Sequence, residues 1–106
     1  MKVSKISGGL LDCLVATCEG VSAEAARLFH NEGHYNYSCN WAQGGLIIER
    51  ECINLEWTGI PSADFFCTIQ GEHEQSGTTP LVAAMRCYVA SKLGDTVTIP
   101  TELKGM

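Results

Sequence analysis

Asn40-Trp41-Ala42-Gln43-Gly44-Gly45 brings an indole, two side-chain amides and two glycines into one short run. An indole stacks on a base, amides read its hydrogen-bonding edge, and glycines let backbone N–H groups come close to a ligand. These are the parts of a nucleotide-like pocket. The alternative for the same residues is a tight turn anchored by a core tryptophan. Arg50 and Arg86 supply guanidinium forks able to pair with phosphate or carboxylate. Arg86 follows Met85 within a helical pattern, so it either extends along the polar face or turns toward a pocket or a partner subunit. Thr78 and Thr79 stand at a helix start, where free N–H groups and the helix dipole favour an anion and where ordinary capping explains the same hydroxyls.

Other residues with chemical potential lack a supporting pattern. His30 and His34 spell H-N-E-G-H, which differs from the zinc-protease H-E-x-x-H because the glutamate stands at the wrong offset for a general base. Gly33 further weakens any helix that would align the two imidazoles, and no metal ligand set is expected. A cysteine nucleophile needs a neighbouring histidine or other positive charge; His34 or His73 could in principle approach Cys39 or Cys67, and nothing local brings them together. The carboxylates of Glu49-Arg50-Glu51 and Glu72-His73-Glu74 read as solvated turns rather than acid-base pairs. No catalytic residue and no cofactor is assigned.

The elements that must position these groups follow from periodicity and punctuation. Leu10, Leu11, Leu14, Val15 and Cys18 share one helical face before Gly20, which predicts a helix over residues 8–19. Ser22 caps a short helix to His30. Asn31 to Gly45 has no periodicity and reads as a binding loop. Leu46-Ile47-Ile48 and Ile53, Leu55, Trp57 read as extended, separated by Glu49-Arg50-Glu51 in a hairpin or bent strand. Gly59, Pro61, Ser62 and Asp64 introduce a strand in which Phe65, Cys67 and Ile69 alternate with polar or aromatic neighbours, and residues 71–77 read as a polar loop. Thr79-Pro80 opens the clearest helix, residues 80–93, with Lys92 in the last turn and Gly94 beyond. Val97 and Ile99 give a short last strand. The expected fold is α+β: a small antiparallel or mixed sheet of about four strands with two main helices and one short helix packed on it.

Composition bounds the class. A chain of 106 residues, 45% hydrophobic and 18% charged, has room for one core and reads as a single α+β domain. Seven lysines and arginines against twelve acids give a formal charge of -5, which argues against duplex nucleic acid as a partner. Six cysteines without a signal peptide or a C-x-x-C spacing read as free thiols in a reducing compartment. No stretch approaches the ~18 apolar residues of a membrane span.

Two blocks, Asn40 to Ile53 (NWAQGGLIIERECI) and Gly77 to Leu103 (GTTPLVAAMRCYVASKLGDTVTIPTEL), resemble the NinX-like family of small lambdoid-phage and prophage proteins. The family reads DWAQGG-P-IIERE-G and G-P-TPL, where this chain has Asn40, Leu46, Cys52 and Thr78. The resemblance implies a phage or prophage origin and the cytoplasm of an infected bacterium as the place of action. It supplies no activity.

These readings converge on a binding protein that does not turn its ligand over. The expected ligand is small and anionic, a nucleotide-derived signal of a host defence, held by Asn40, Trp41, Gln43, Gly44, Gly45, Arg50, Thr78, Thr79 and Arg86. A homo-oligomer is expected, with the Met85, Tyr88 helix face as the subunit contact. The alternative is an inhibitor or adaptor that occupies a bacterial host protein; a nucleotide hydrolase ranks third.

Overall fold

Thr79 and Pro80 start the helix around which the chain is built. The Thr79 hydroxyl accepts the Val82 N–H at 3.1 Å and proline fills the first helical position, so the first turn is pre-formed. The helix spans Pro80–Leu93 and ends at Gly94, whose φ of +90° stops it. It buries Leu81, Ala83, Ala84, Met85, Cys87, Tyr88, Val89 and Ala90, and a helix apolar on nearly every side belongs in the middle of a fold.

The computed structural model describes residues 1–57 and 72–106 in full and the backbone of residues 65–69. In chain order the elements are α1 (Gly8–Cys18), α2 (Ala23–Asn31), α3 (Trp41–Glu51), β1 (Asn54–Trp57), β2 (Phe65–Ile69), β3 (His73–Gly77) and α4 (Pro80–Leu93), with short 3-10 turns at Val3–Lys5 and Thr101–Leu103. The three strands form one antiparallel sheet in the order β1-β2-β3, with Leu55 opposite Cys67 and Cys67 opposite Gln75. One side of α4 packs on β2 and β3 and the other on α1 and α3, giving an α+β fold. Close approach to the sheet depends on Gly77: a Cβ there would lie 2.6 Å from the Ala83 nitrogen.

The helices at residues 8–19, Ser22 to His30 and 80–93 form within a residue or two of expectation, and Ser22 caps α2 by accepting the Ala25 N–H at 3.2 Å. Three expectations are corrected. Leu46-Ile47-Ile48 is the middle of α3 rather than an extended segment, and Glu49-Arg50-Glu51 forms its last turn. Burial of Gly44 and Ile47 outweighs the poor helix propensity of two adjacent glycines. Residues His73–Gly77, read as loop, form β3, because pairing with β2 and cover from α4 replace the missing apolar alternation. Val97 and Ile99 do not join the sheet. That segment makes a single antiparallel bridge, Lys2 to Thr96, and exchanges Val97 N–H to Met1 O and Met1 N to Val97 O, both 2.9 Å, tying the two chain ends together. The sheet therefore has three described strands rather than about four. The turn read at Gly59, Pro61, Ser62 and Asp64, and the side-chain alternation along Phe65 to Ile69, lie outside the described residues.

Met85 and Tyr88 are 0% and 1% exposed, so the face expected to join subunits is core of a single chain. Cys13, Cys18, Cys39 and Cys52 are free thiols, as read. Burial pushes Cys13 and Cys18 up to about 11, which keeps them protonated and inert at neutral pH.

Candidate functional site

The run Asn40 to Gly45 is the start of a helix, and this changes what its residues can reach. Asn40 is the N-cap of α3: its Oδ1 accepts the Ala42 N–H at 2.9 Å. Helical spacing then sends Trp41 to one side of α3 and Gln43, Leu46 and Arg50 to the other. Each side borders its own cleft, so the expected site residues are divided between two places.

On the first side lies a cleft of about 460 Å³ bordered by Trp41, whose side is open to solvent (55% exposed). The first turns of three helices meet there: Gly8 and Gly9 of α1, Trp41 of α3, and Pro80, Leu81 and Val82 of α4 after the cap Thr79. The first N–H groups of a helix have no partner within it, and the dipole makes that end positive. Asn40 and Thr79 each take one such N–H, while the Ser7 side chain makes no cap bond at α1. No lysine or arginine borders this cleft among the described residues. Its one carboxyl, Asp12, is 3% exposed and accepts the Ser38 N–H at 2.8 Å. Burial raises its pKa above the ordinary value, against the lowering effect of the Ser38 hydrogen bonds and of His30.

The second cleft, about 410 Å³, runs between α3 and the loop after α2. Tyr35 and Tyr37 stand in it with rings nearly parallel, 6° apart at 5.9 Å between centroids. Tyr35 holds a φ of +55°, an outlier for a bulky residue, and its carbonyl lies 3.2 Å from His30 Nδ1. Gln43 Oε1 accepts the Asn36 N–H at 2.7 Å, fixing the loop to α3. At the far end, Arg50 donates through Nη1 and Nη2 to both oxygens of Glu19 at 2.8 Å each, and through Nε to Glu51 at 3.1 Å. Tyr88 donates its hydroxyl proton to Glu19 at 2.5 Å and accepts from Arg50 Nη2 at 3.2 Å. The guanidinium holds the Glu19 carboxyl below its usual range, and burial together with the Glu19 bond pushes the Tyr88 phenol up.

The remaining expected residues fall as follows. Gly44 is buried against the loop: a Cβ there would collide with the Tyr37 carbonyl and lie 2.6 Å from Leu81 Cδ2, so it serves close packing of α3. Gly45 meets nothing nearer than Trp41 Cε3 at 3.7 Å. Thr78 is exposed and borders neither cleft. Arg86 donates through Nε to the Ile6 carbonyl at 2.7 Å and through Nη1 to the Ser76 carbonyl at 2.9 Å, tying α4 to the N-terminal segment and β3. It also borders neither cleft. Asp12, Glu19, Tyr35 and Tyr37 were not singled out from sequence; an acid inside the apolar run Leu10 to Val15 was the one available signal. His34 packs edge-on to Phe29 at 6.1 Å. Among the described residues no group of three or more His, Cys, Asp or Glu side chains is placed to hold a metal ion.

The family model described as Bacteriophage P22, NinX matches residues 2–92. The chain belongs to the bacteriophage P22 NinX family. Both clefts of this NinX-family chain lie within the matched span, whereas the Thr101–Leu103 turn lies beyond it. Comparison with curated proteins finds no match. No helix among the described residues is long and apolar enough to cross a membrane.

Proposed function

We propose that this NinX-family chain is a phage accessory protein that captures a small anionic, nucleotide-like ligand in the Trp41 cleft and does not turn it over. The observation that carries this reading is the meeting of three helix starts on one cleft beside an exposed indole. Helix N-termini favour phosphate through backbone N–H groups and dipole, without help from side-chain cations. That suits a chain whose formal charge is -5. Trp41 offers the stacking surface for a base.

In a phage-infected bacterium the proposed role is to sequester a nucleotide-derived defence signal by stoichiometric binding. Native mass spectrometry of the protein purified from infected cells tests it. Retention of one nucleotide-sized mass per binding unit, lost in Trp41→Ala, supports capture. A protein that stays free of added mass after incubation with nucleotide extracts contradicts it. The same spectra give the number of copies per assembly and so test the expected homo-oligomer.

One observation favours a second reading, inhibition of a host protein. Among the described residues β1 pairs on one side only, with β2, and it carries Leu55 and Trp57 at 36% and 60% exposed. An open edge strand with exposed apolar side chains accepts an extended segment of another protein. Recovery of a bacterial protein whose binding is lost in Trp57→Ser, with no small ligand retained, moves the assignment to this reading.

A further inference from the structure

Gly77 fixes which face of the sheet α4 covers: a Cβ there would lie 2.6 Å from the Ala83 nitrogen. Residues opposed in antiparallel strands share a face, and the register runs from Gly77 to Phe65 to Trp57. Trp57, and Leu55 two residues before it, therefore stand on the α4 side of the sheet. The helix lies over β2 and β3, however, and leaves them 60% and 36% exposed. Asn54 and Glu56 are exposed as well. Beside these residues the outer edge of β1 has no strand partner among the described residues. Sheet edges are usually blunted by proline, lysine or a bulge. The segment Asn54–Trp57 has neither residue, and its register with β2 runs without a bulge.

What completes such an edge is another strand, and β1 is complementary to itself. A two-fold axis at Leu55 sets Leu55 opposite its copy and Asn54 opposite Glu56 of the second copy, in both directions. An axis through a residue pair fits either alternation of an antiparallel ladder, so the backbone bonds close. Asn54 and Glu56 share one face, and Asn54 Nδ2 donates to Glu56 Oε1 at 3.2 Å. The axis extends that contact into a ring of two amides and two carboxylates with no like charges directly opposed. An axis moved one residue, to Glu56, would oppose two carboxylates.

We propose that β1 pairs with β1 of a second copy of this chain about a two-fold axis at Leu55, joining two three-stranded sheets into one. Leu55 and Trp57 of both copies then share the uncovered part of the α4 side. The subunit contact falls on β1 rather than on the buried Met85, Tyr88 face, and it does not depend on anion capture in the Trp41 cleft.

Sedimentation velocity of the purified chain from about 1 to 300 µM tests the pairing, with a reversible dimer of Kd on the order of 10–100 µM expected for so short a contact. Leu55→Lys sets two ammonium groups across the axis and weakens the dimer at least about tenfold. Asn54 reads the register. Asn54→Asp opposes carboxylates twice per dimer and weakens it by about tenfold, whereas Asn54→Lys puts an ammonium opposite Glu56 and leaves the dimer as tight or tighter. Asn54 is exposed, so both of its variants keep the urea midpoint of the parent. A monomer throughout the range, a dimer indifferent to Leu55→Lys, or the same response to both Asn54 variants overturns the assignment. A monomer that instead binds a bacterial protein through Trp57 overturns it too, and returns the edge to the inhibitor reading.

Discussion

Glu19 and Arg50 meet as a two-point pair, Nη1 to Oε1 and Nη2 to Oε2, each 2.8 Å, joining the end of α1 to the last turn of α3. Tyr88 of α4 completes the contact by donating to Glu19. Because the pair depresses the Glu19 pKa, its contribution to stability is full above the ordinary glutamate value and is lost as pH falls through the depressed folded value. Solvent screens this half-exposed pair, so Glu19→Gln should lower stability by about 1 kcal/mol at neutral pH, with the deficit shrinking below about pH 4. Urea midpoints of both proteins against pH check this; a deficit independent of pH would show that the charge is immaterial.

Asp12 behaves with the opposite sign. Its folded pKa is raised, chiefly by burial, so its contribution is favourable at acid pH and is lost as pH rises through the folded value. Asp12→Asn keeps the acceptor for the Ser38 N–H and removes the buried charge. The variant should be more stable than the parent at neutral pH by up to about 1 kcal/mol, with no gain near pH 3. Thermal melts across that range decide the matter.

Adjacent glycines in α3 should respond oppositely to alanine. At Gly45 the new methyl meets only Trp41 at 3.7 Å, so the helix propensity of alanine gives a gain of roughly 0.5–1 kcal/mol. At Gly44 it strikes the Tyr37 carbonyl and Leu81, and overpacking costs about 1–3 kcal/mol despite that propensity. Chemical denaturation of the two single variants reads the difference in sign.

Cys52 ends α3 in the left-handed region at φ +53°, where a Cβ is strained. Cys52→Gly should stabilise the chain by about 1 kcal/mol. A higher denaturant midpoint with unchanged slope is the expected result.

The left-handed cap also bears on what the sequence reveals. The resembled pattern has glycine where this chain has Cys52, and the backbone there explains why glycine suits the position. α2 and α4 were legible because their caps are local: Ser22, Thr79 and Gly94 act on residues within one turn. α3 was not, since Gly44-Gly45 and Ile47-Ile48 oppose a helix locally and only the contact with Tyr37 and Leu81 favours it. β3 lacked an apolar period because His73-Glu74-Gln75-Ser76 is held by its neighbours rather than by its own pattern.

The candidate site was legible in part. Trp41 and Thr79 share one cleft as parts of one reading. Arg50 and Gln43 were sent to the other by the helical turn that the sequence concealed. Asp12 meets Ser38 and Glu19 meets Arg50 across long chain separations, which no local spacing encodes.

The most direct test of anion capture is the indole N–H signal of Trp41 in a nitrogen-15 NMR titration with pyrophosphate and nucleoside diphosphates, with Trp57 as internal control. The account predicts saturable movement of the Trp41 indole and of the Gly8 and Gly9 amides while the Trp57 indole stays in place. Signals that all remain fixed to about 1 mM ligand, or movement of Trp57 alone, would contradict it.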